Sequence, residues 1–406
     1  MSLLSNLLAV PAYLFFQLTW LLHSLRRPLL LVSALCLLSN PKAAYNKLKL
    51  FYVTFIYLLF SKDKTWKVPK DKDPASFFPK ELGGTLESSN TSKKYTYREK
   101  TVILIRHGES TWNDTFNAGD RSKPLFILFF IPNLIYATIL ELYYIISDKD
   151  DHSWFFDSAL SQKGVGQADG LRKFLKKEKM RLGSKGTPDE ERAVKLLLAV
   201  GEESNPSSTV VSSNLRRAIS TAAIGLAYRF IATVVKNESS NNKNKKDDIL
   251  LLPCLQEISR NPDALTILPP RGVAHPTWCD EDISGFIPQT SFGGMIDTKY
   301  HTGNKSVNST GLIRLEQFCH DIFDNAKLPK DVIIATGHSL FFRSVFQVYL
   351  PRGYEHISKK KKLVNGGTVM VTLREATETG SGKKEYMIDE RSVVMVYGGF
   401  GKHTKG

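Results

Sequence analysis

Apolar positions along this chain fall into two regimes, nearly continuous runs over the first sixty residues and short runs between helix-spaced patterns after about residue 100. Leu3 to Leu25 contains no Asp, Glu, Lys or Arg, and Arg26 and Arg27 follow it at once. A run of that length can cross a bilayer as a helix, and the positive-inside tendency places its C-terminal end in the cytosol. A cleaved signal peptide normally carries a positive charge ahead of its apolar core, and none is present here. Pro28 to Ser39 and Leu50 to Phe60 are too short to span comfortably, and Lys42, Lys47 and Lys49 separate them. They predict interfacial helices with lysines facing anionic headgroups, so residues 1–60 read as an apolar, membrane-associating helical region.

Residues 61–99 are rich in Lys, Asp, Pro, Ser and Gly and predict a linker and surface loop. Thr101 to Ile105 then opens a series of short apolar runs suited to buried strands. The others are Thr209 to Ser212, Ile249 to Leu252, Val332 to Ala335, Gly367 to Leu373 and Ser392 to Val396. Helical spacing fills the intervals at Gly164 to Lys177, Arg216 to Phe230, Gly311 to Asn325 and Phe341 to Leu350. This alternation predicts an α/β domain over residues 100–406, a three-layer sandwich with a mainly parallel central sheet flanked by helices. Residues 237–248 form a polar loop insertion. Pro124 to Ile146 is a second, markedly apolar insertion, interrupted by Pro132 and Asn133. If it crossed a membrane once, it would separate residue 107 from every later segment, so a hairpin or bent helix turning near Pro132 is expected instead.

Composition narrows the chemistry. Among 406 residues, 55 Lys and Arg outnumber 40 Asp and Glu, which favours anionic partners. The lysine-rich stretches lack interleaved aromatics, so nucleic acid is not expected among them. Cys36, Cys254, Cys279 and Cys319 are too few and scattered for a disulfide framework or a CxxC-type zinc site. No P-loop or EF-hand pattern occurs, and Gly164, Gly166 and Gly170 lack dinucleotide spacing. Neither a cofactor nor a metal site is expected.

The segment Arg106-His107-Gly108-Glu109-Ser110-Thr111-Trp112-Asn113 begins where the first domain strand ends. Ligands of open α/β sheets bind at the carboxyl ends of strands, so Arg106 and His107 emerge where a substrate would sit. A neutral imidazole there can attack phosphorus, provided its other ring nitrogen is held by an acceptor. Arg106 supplies a permanent cationic fork, and Ser110 and Asn113 supply further donors. Gly108 would let the backbone approach a phosphate oxygen.

This segment resembles the opening motif of the histidine phosphatase superfamily, also called phosphoglycerate mutase-like, and later segments match the family pattern in order. Ser213 to Ala222 resembles its second-arginine helix, with Arg217 rather than Arg216 at the phosphate-binding position. Leu255-Gln256-Glu257 is similar to the element carrying the acidic proton donor, and Gly337-His338-Ser339 to the site of the second histidine. Leu160-Ser161-Gln162-Lys163-Gly164 matches the family's Leu-Ser-x-x-Gly segment. The resemblance implies a metal-independent phosphatase working through a phosphohistidine on His107, with Glu257 as acid and base and His338 beside the phosphoryl group. A phosphomutase or a catalytically silent membrane adaptor are the alternatives. The expected partners are a phosphorylated small molecule or phosphoprotein, and membrane lipid through residues 1–60 and 124–146. The expected location is a membrane surface, with the catalytic domain in the cytosol.

Overall fold

The computed structural model describes residues 30–31, 33–35, 38–70, 72–82, 85–87, 95–119, 121–147, 152–181, 187–200, 208–231, 247–272 and 295–401. Leu3 to Leu25 and most of the loop 237–248 lie outside the described residues.

The strands are β1 (Lys80–Leu82), β2 (Thr85–Glu87), β3 (Tyr95–Arg106), β4 (Ser208–Ser212), β5 (Ile249–Leu251) and β6 (Ile296–Asp297). They continue with β7 (Val332–Gly337), β8 (Lys362–Leu363), β9 (Thr368–Glu378), β10 (Lys384–Ile388), β11 (Val394–Tyr397) and β12 (Phe400–Gly401). Eight of them form one sheet in the order β10-β9-β3-β7-β4-β5-β6, with β11 also pairing with β9. From β3 to β6 every pairing is parallel, and the β9 side is antiparallel. Alternation along β3 explains why both faces are covered. Ile103 and Ile105 enter the cluster under helices α4 (Gln162–Lys179), α5 (Pro188–Leu198) and α6 (Arg216–Gly225). Val102 and Leu104 enter the opposite cluster, under α7 (Gly311–Phe323) and α8 (Ser339–Tyr349). The three-layer α/β expectation holds.

Register does the functional work. Arg106 lies level with Gly337, and Ser212 with Thr336, so neighbouring parallel strands end at the same height. The residues that follow each strand therefore meet at one rim.

Three expectations need correction. The strand expected at Thr101 begins at Tyr95, because Tyr95 to Lys100 pairs antiparallel with β9 as far as Glu378. Residues 61–99 are not simply a surface linker, since Ser61 and Asp63 are buried in the domain. The insertion is not a hairpin: α3 (Lys123–Ile146), which follows the short α2 (Thr111–Phe116), runs as one helix through Pro132.

The reason is that the domain holds α3 on both sides of the proline. Phe130 meets Phe116 at 6.1 Å and Tyr136 meets Trp154 at 5.5 Å. Ala137 is fully buried, and Glu141 accepts from Ser153 and from the amides of Trp154 and Phe155. A proline removes one helical hydrogen bond, a loss that such packing tolerates. Farther on, Ile145 packs on Ala43 and Ala44 of α1 (Pro41–Phe60). That helix is capped by Asn40 and continues through the basic stretch, because Lys47 is buried against Glu141 at 2.9 Å. The opposite face of α3 is an exposed apolar stripe through Ile127, Ile131, Ile135 and Ile139. α3 is long and apolar enough to cross a membrane. α1 likewise exposes Leu48, Phe51, Tyr52 and Phe55.

Candidate active site

The ends of β3, β7 and β4 bring His107, His338 and Arg217 to one place. The rings of His107 and His338 lie 4.8 Å apart at 59°, and both residues are buried together with Arg106 and Arg217. His107 Nδ1 faces the carbonyl oxygen of Gly108 at 2.5 Å. A carbonyl only accepts, so Nδ1 carries the proton and Nε2 keeps its lone pair. Asn365 holds the backbone of the same residue, donating to the His107 carbonyl at 3.1 Å. Nε2 of His338 contacts Ser213 Oγ at 2.9 Å, while its Nδ1 has no protein partner.

The guanidiniums are held from behind. Arg106 donates to the Leu363 carbonyl at 2.6 Å, and Arg217 to the Asp263 carbonyl at 2.7 Å, with the Asp263 carboxylate 3.4 Å away. The buried Nε atoms of both arginines have no protein acceptor. Adjacent Arg216 points elsewhere, donating to the Asp157 and Ser153 carbonyls. Of the pair, it is Arg217 that lies beside the two histidines.

Electrostatics follow from this crowding. Burial first, then Arg217 and Arg106, hold the His107 imidazole well below its usual range. Burial, Arg217 and His107 do the same to His338. Arg106 is pushed down to about 10 by burial, against the pull of Glu257 and Glu109, and stays charged at neutral pH. Two neutral imidazoles between two cations make a pocket complementary to a tetrahedral oxyanion.

Glu257 reaches this rim on the segment after β5. Its carboxylate accepts from the amides of Ile258 at 3.0 Å and Phe341 at 3.2 Å, which places it at the N-terminus of α8, next to His338. Ser110 and Asn113 have local roles. Ser110 caps α2 by accepting from the Asn113 amide at 3.2 Å, and the Asn113 side chain accepts from Asn117 at 2.7 Å. Gly108 differs from expectation. A Cβ there would lie 2.3 Å from the Gly164 carbonyl oxygen, and one on Gly164 would lie 1.9 Å from the Glu109 oxygen. The two glycines let α4 pack against the loop that follows His107, and Thr221 accepts from the Gly108 amide at 3.0 Å.

The support of the Glu257 segment had no signal in the sequence. Lys305 donates to the Glu257 carbonyl at 2.5 Å and to the Ser259 carbonyl at 2.9 Å, and Arg314 donates to the Gln256 carbonyl at 2.5 Å. Fully buried Asp63, three residues past α1, bridges both cations, at 2.9 Å to Lys305 and 2.5 Å to Arg314. Burial and Arg314 push Lys305 down to about 7 while Asp63 pulls it up. Among the described residues no cluster of three His, Cys, Asp or Glu side chains has metal-binding geometry.

Two measurements check these electrostatics. Asp63→Asn leaves the buried Lys305 and Arg314 side chains without their shared carboxylate and is expected to lower unfolding free energy by roughly 3 kcal/mol in denaturant titration at pH 7. His338 has a folded pKa below its unfolded value of about 6.5. Its contribution is fully present above pH 6.5 and is lost as the pH falls, because the unfolded chain takes up the proton first. The loss of Tm between pH 7 and pH 5 should therefore be smaller in His338→Asn than in the parent; an unchanged slope would show that His338 takes up its proton in the folded site as readily as in the unfolded chain.

No family model matches the chain, and no curated protein matches it. Solved structures that resemble it include a mycobacterial glucosyl-3-phosphoglycerate phosphatase bound to VO3, at 13% identity and TM-score 0.27, covering 71% of this chain and 97% of that one. Another is the ecdysone phosphate phosphatase of Bombix mori in complex with tungstate, at 12% identity and TM-score 0.34, covering 73% and 93%. A third is a putative alpha-ribazole-5'-P phosphatase from Escherichia coli, at 12% identity and TM-score 0.28, covering 73% and 98%. At such distant overlap, what the site can do rests on its own geometry.

Proposed function

We propose that this chain is a membrane-associated phosphatase of the histidine phosphatase type, hydrolysing a phosphomonoester through a phosphohistidine on His107. The observation that carries the reading is the pair of imidazoles 4.8 Å apart, both held neutral, beside two buried arginines. In the first step the lone pair of His107 Nε2 forms a bond to phosphorus, and the bond from phosphorus to the ester oxygen breaks in line. Glu257 gives that oxygen its proton. Arg106, Arg217 and His338 stabilise the equatorial oxygens, a task that protein cations perform without a metal ion. Glu257 then takes a proton from water as the water oxygen attacks phosphorus, and inorganic phosphate leaves with His107 neutral again.

Membrane association is supported by the exposed apolar faces of α1 and α3, which are larger than scattered surface hydrophobics. Because α3 lies along the domain, it would sit in the interface with its outer stripe in lipid rather than cross the bilayer. The arginines after the first apolar run favour a cytosolic catalytic domain.

Full-length protein in neutral nanodiscs should release phosphate from a small aryl phosphate, with no isomer product and no loss of rate in a chelator. Glu257→Gln should lower kcat roughly 10²–10⁴-fold. His107→Ala should abolish both turnover and the acid-labile, base-stable phosphoprotein; unchanged turnover would end the enzyme assignment. In vesicle flotation, the pair Ile135→Glu and Ile139→Glu should lower membrane partition at least about tenfold through lost apolar burial. Equal flotation would remove α3 from the membrane contact.

A further inference from the structure

We propose that the groove between α1, α2 and the segment after α3 holds the hydrocarbon chain of a long-chain phosphomonoester drawn from the membrane. This deepens the phosphatase reading and rests on it. The groove has a volume of about 540 Å³, within the usual range for ligand sites. Phe51, Phe55 and Leu58 of α1 form one wall, and Trp112 and Phe116 of α2 with Phe155 form the other. Its charged side chains, Lys47 and Glu141, are committed to each other, so the walls offer an uncharged surface to a ligand.

Two features commit the site to this occupant. Two of the chain segments that line the groove also run to the candidate site. Pro262, which lines the groove, precedes Asp263, whose carboxylate lies 3.4 Å from Arg217. Trp112 stands five residues past His107, on the helix that the nucleophile loop starts. At its outer rim, Leu48, Phe51 and Leu58 are exposed and belong to the apolar face of α1. Cations at the neighbouring site and hydrocarbon walls in the groove match a molecule with a phosphate head and an apolar tail. Such a molecule can slide from a bilayer into the groove without exposing its tail to water.

The test uses full-length protein in phosphatidylcholine nanodiscs and a series of alkyl monophosphates from butyl to dodecyl, with a small aryl phosphate as reference. KM should fall with each added methylene, by up to roughly fourfold where the methylene is fully buried, and then level off once the groove is full. Leu48→Trp with Leu58→Trp, both exposed positions that turn a larger ring toward the groove, should remove at least tenfold of the long-chain preference and leave the aryl phosphate rate unchanged. Phe55→Ala, which widens the groove, should move the plateau to a longer chain. Partition into the bilayer alone would persist in these variants, so an identical chain-length profile in parent and variants overturns the proposal. A preference that emerges only after removal of residues 1–29 also overturns it, because the groove then belongs to the chain's own apolar segment. Failure to hydrolyse even the aryl phosphate would instead overturn the phosphatase reading, and this inference with it.

Discussion

The structure is organised around a cost: two imidazoles and two guanidiniums are withdrawn from water into one rim, where burial and the nearby guanidinium of Arg217 make the imidazoles harder to charge. The histidines meet that cost by staying neutral. The arginines are held from behind by the carbonyl oxygens of Leu363 and Asp263. Parallel register makes the convergence possible, since β3, β7 and β4 finish level with one another. A slip of one residue in any of these strands would turn its terminal side chain to the other face of the sheet. The apolar alternation that covers both faces therefore also fixes the site.

A second layer of control reaches the rim from the N-terminal helix. Asp63 connects α1 to the carbonyls of the Glu257 segment through Lys305 and Arg314. Glu141 connects α3 to α1 through Lys47, and to the loop at Trp154. That loop continues to Asp157, which takes hydrogen bonds from Arg216, the neighbour of Arg217. The apolar helices are thus joined to the chemistry at two points by buried, hydrogen-bonded charge, a geometry that breaks at high cost.

What the sequence revealed, and what it hid, divides by range. The strand ends carrying His107 and His338 were legible because short β-branched runs announce buried strands and the polar residues after them announce a rim. The choice of Arg217 over Arg216 came with the resemblance; in the structure Arg216 donates to Asp157 while Arg217 lies beside the histidines. Asp63 was hidden because its partners lie 242 and 251 residues away, and no local pattern marks such a pairing. The continuity of α3 through Pro132 was hidden for a similar reason, since the contacts that tolerate the proline belong to Phe116 and Trp154. Ser110 was legible in principle as a helix cap, from its place just before α2, but a donor role looked equally natural beside a nucleophile.

The position of Asp63 bears on how this protein can be dissected. A fragment cut at the start of β3 looks like a natural catalytic core, with the hydrophobic front half discarded for solubility. Such a cut would strip Lys305 and Arg314 of their shared carboxylate and leave the Glu257 segment resting on two buried basic side chains that nothing joins. Boundaries drawn ahead of Ser61 would keep that ionic keystone, at the expense of carrying some greasy surface into the test tube.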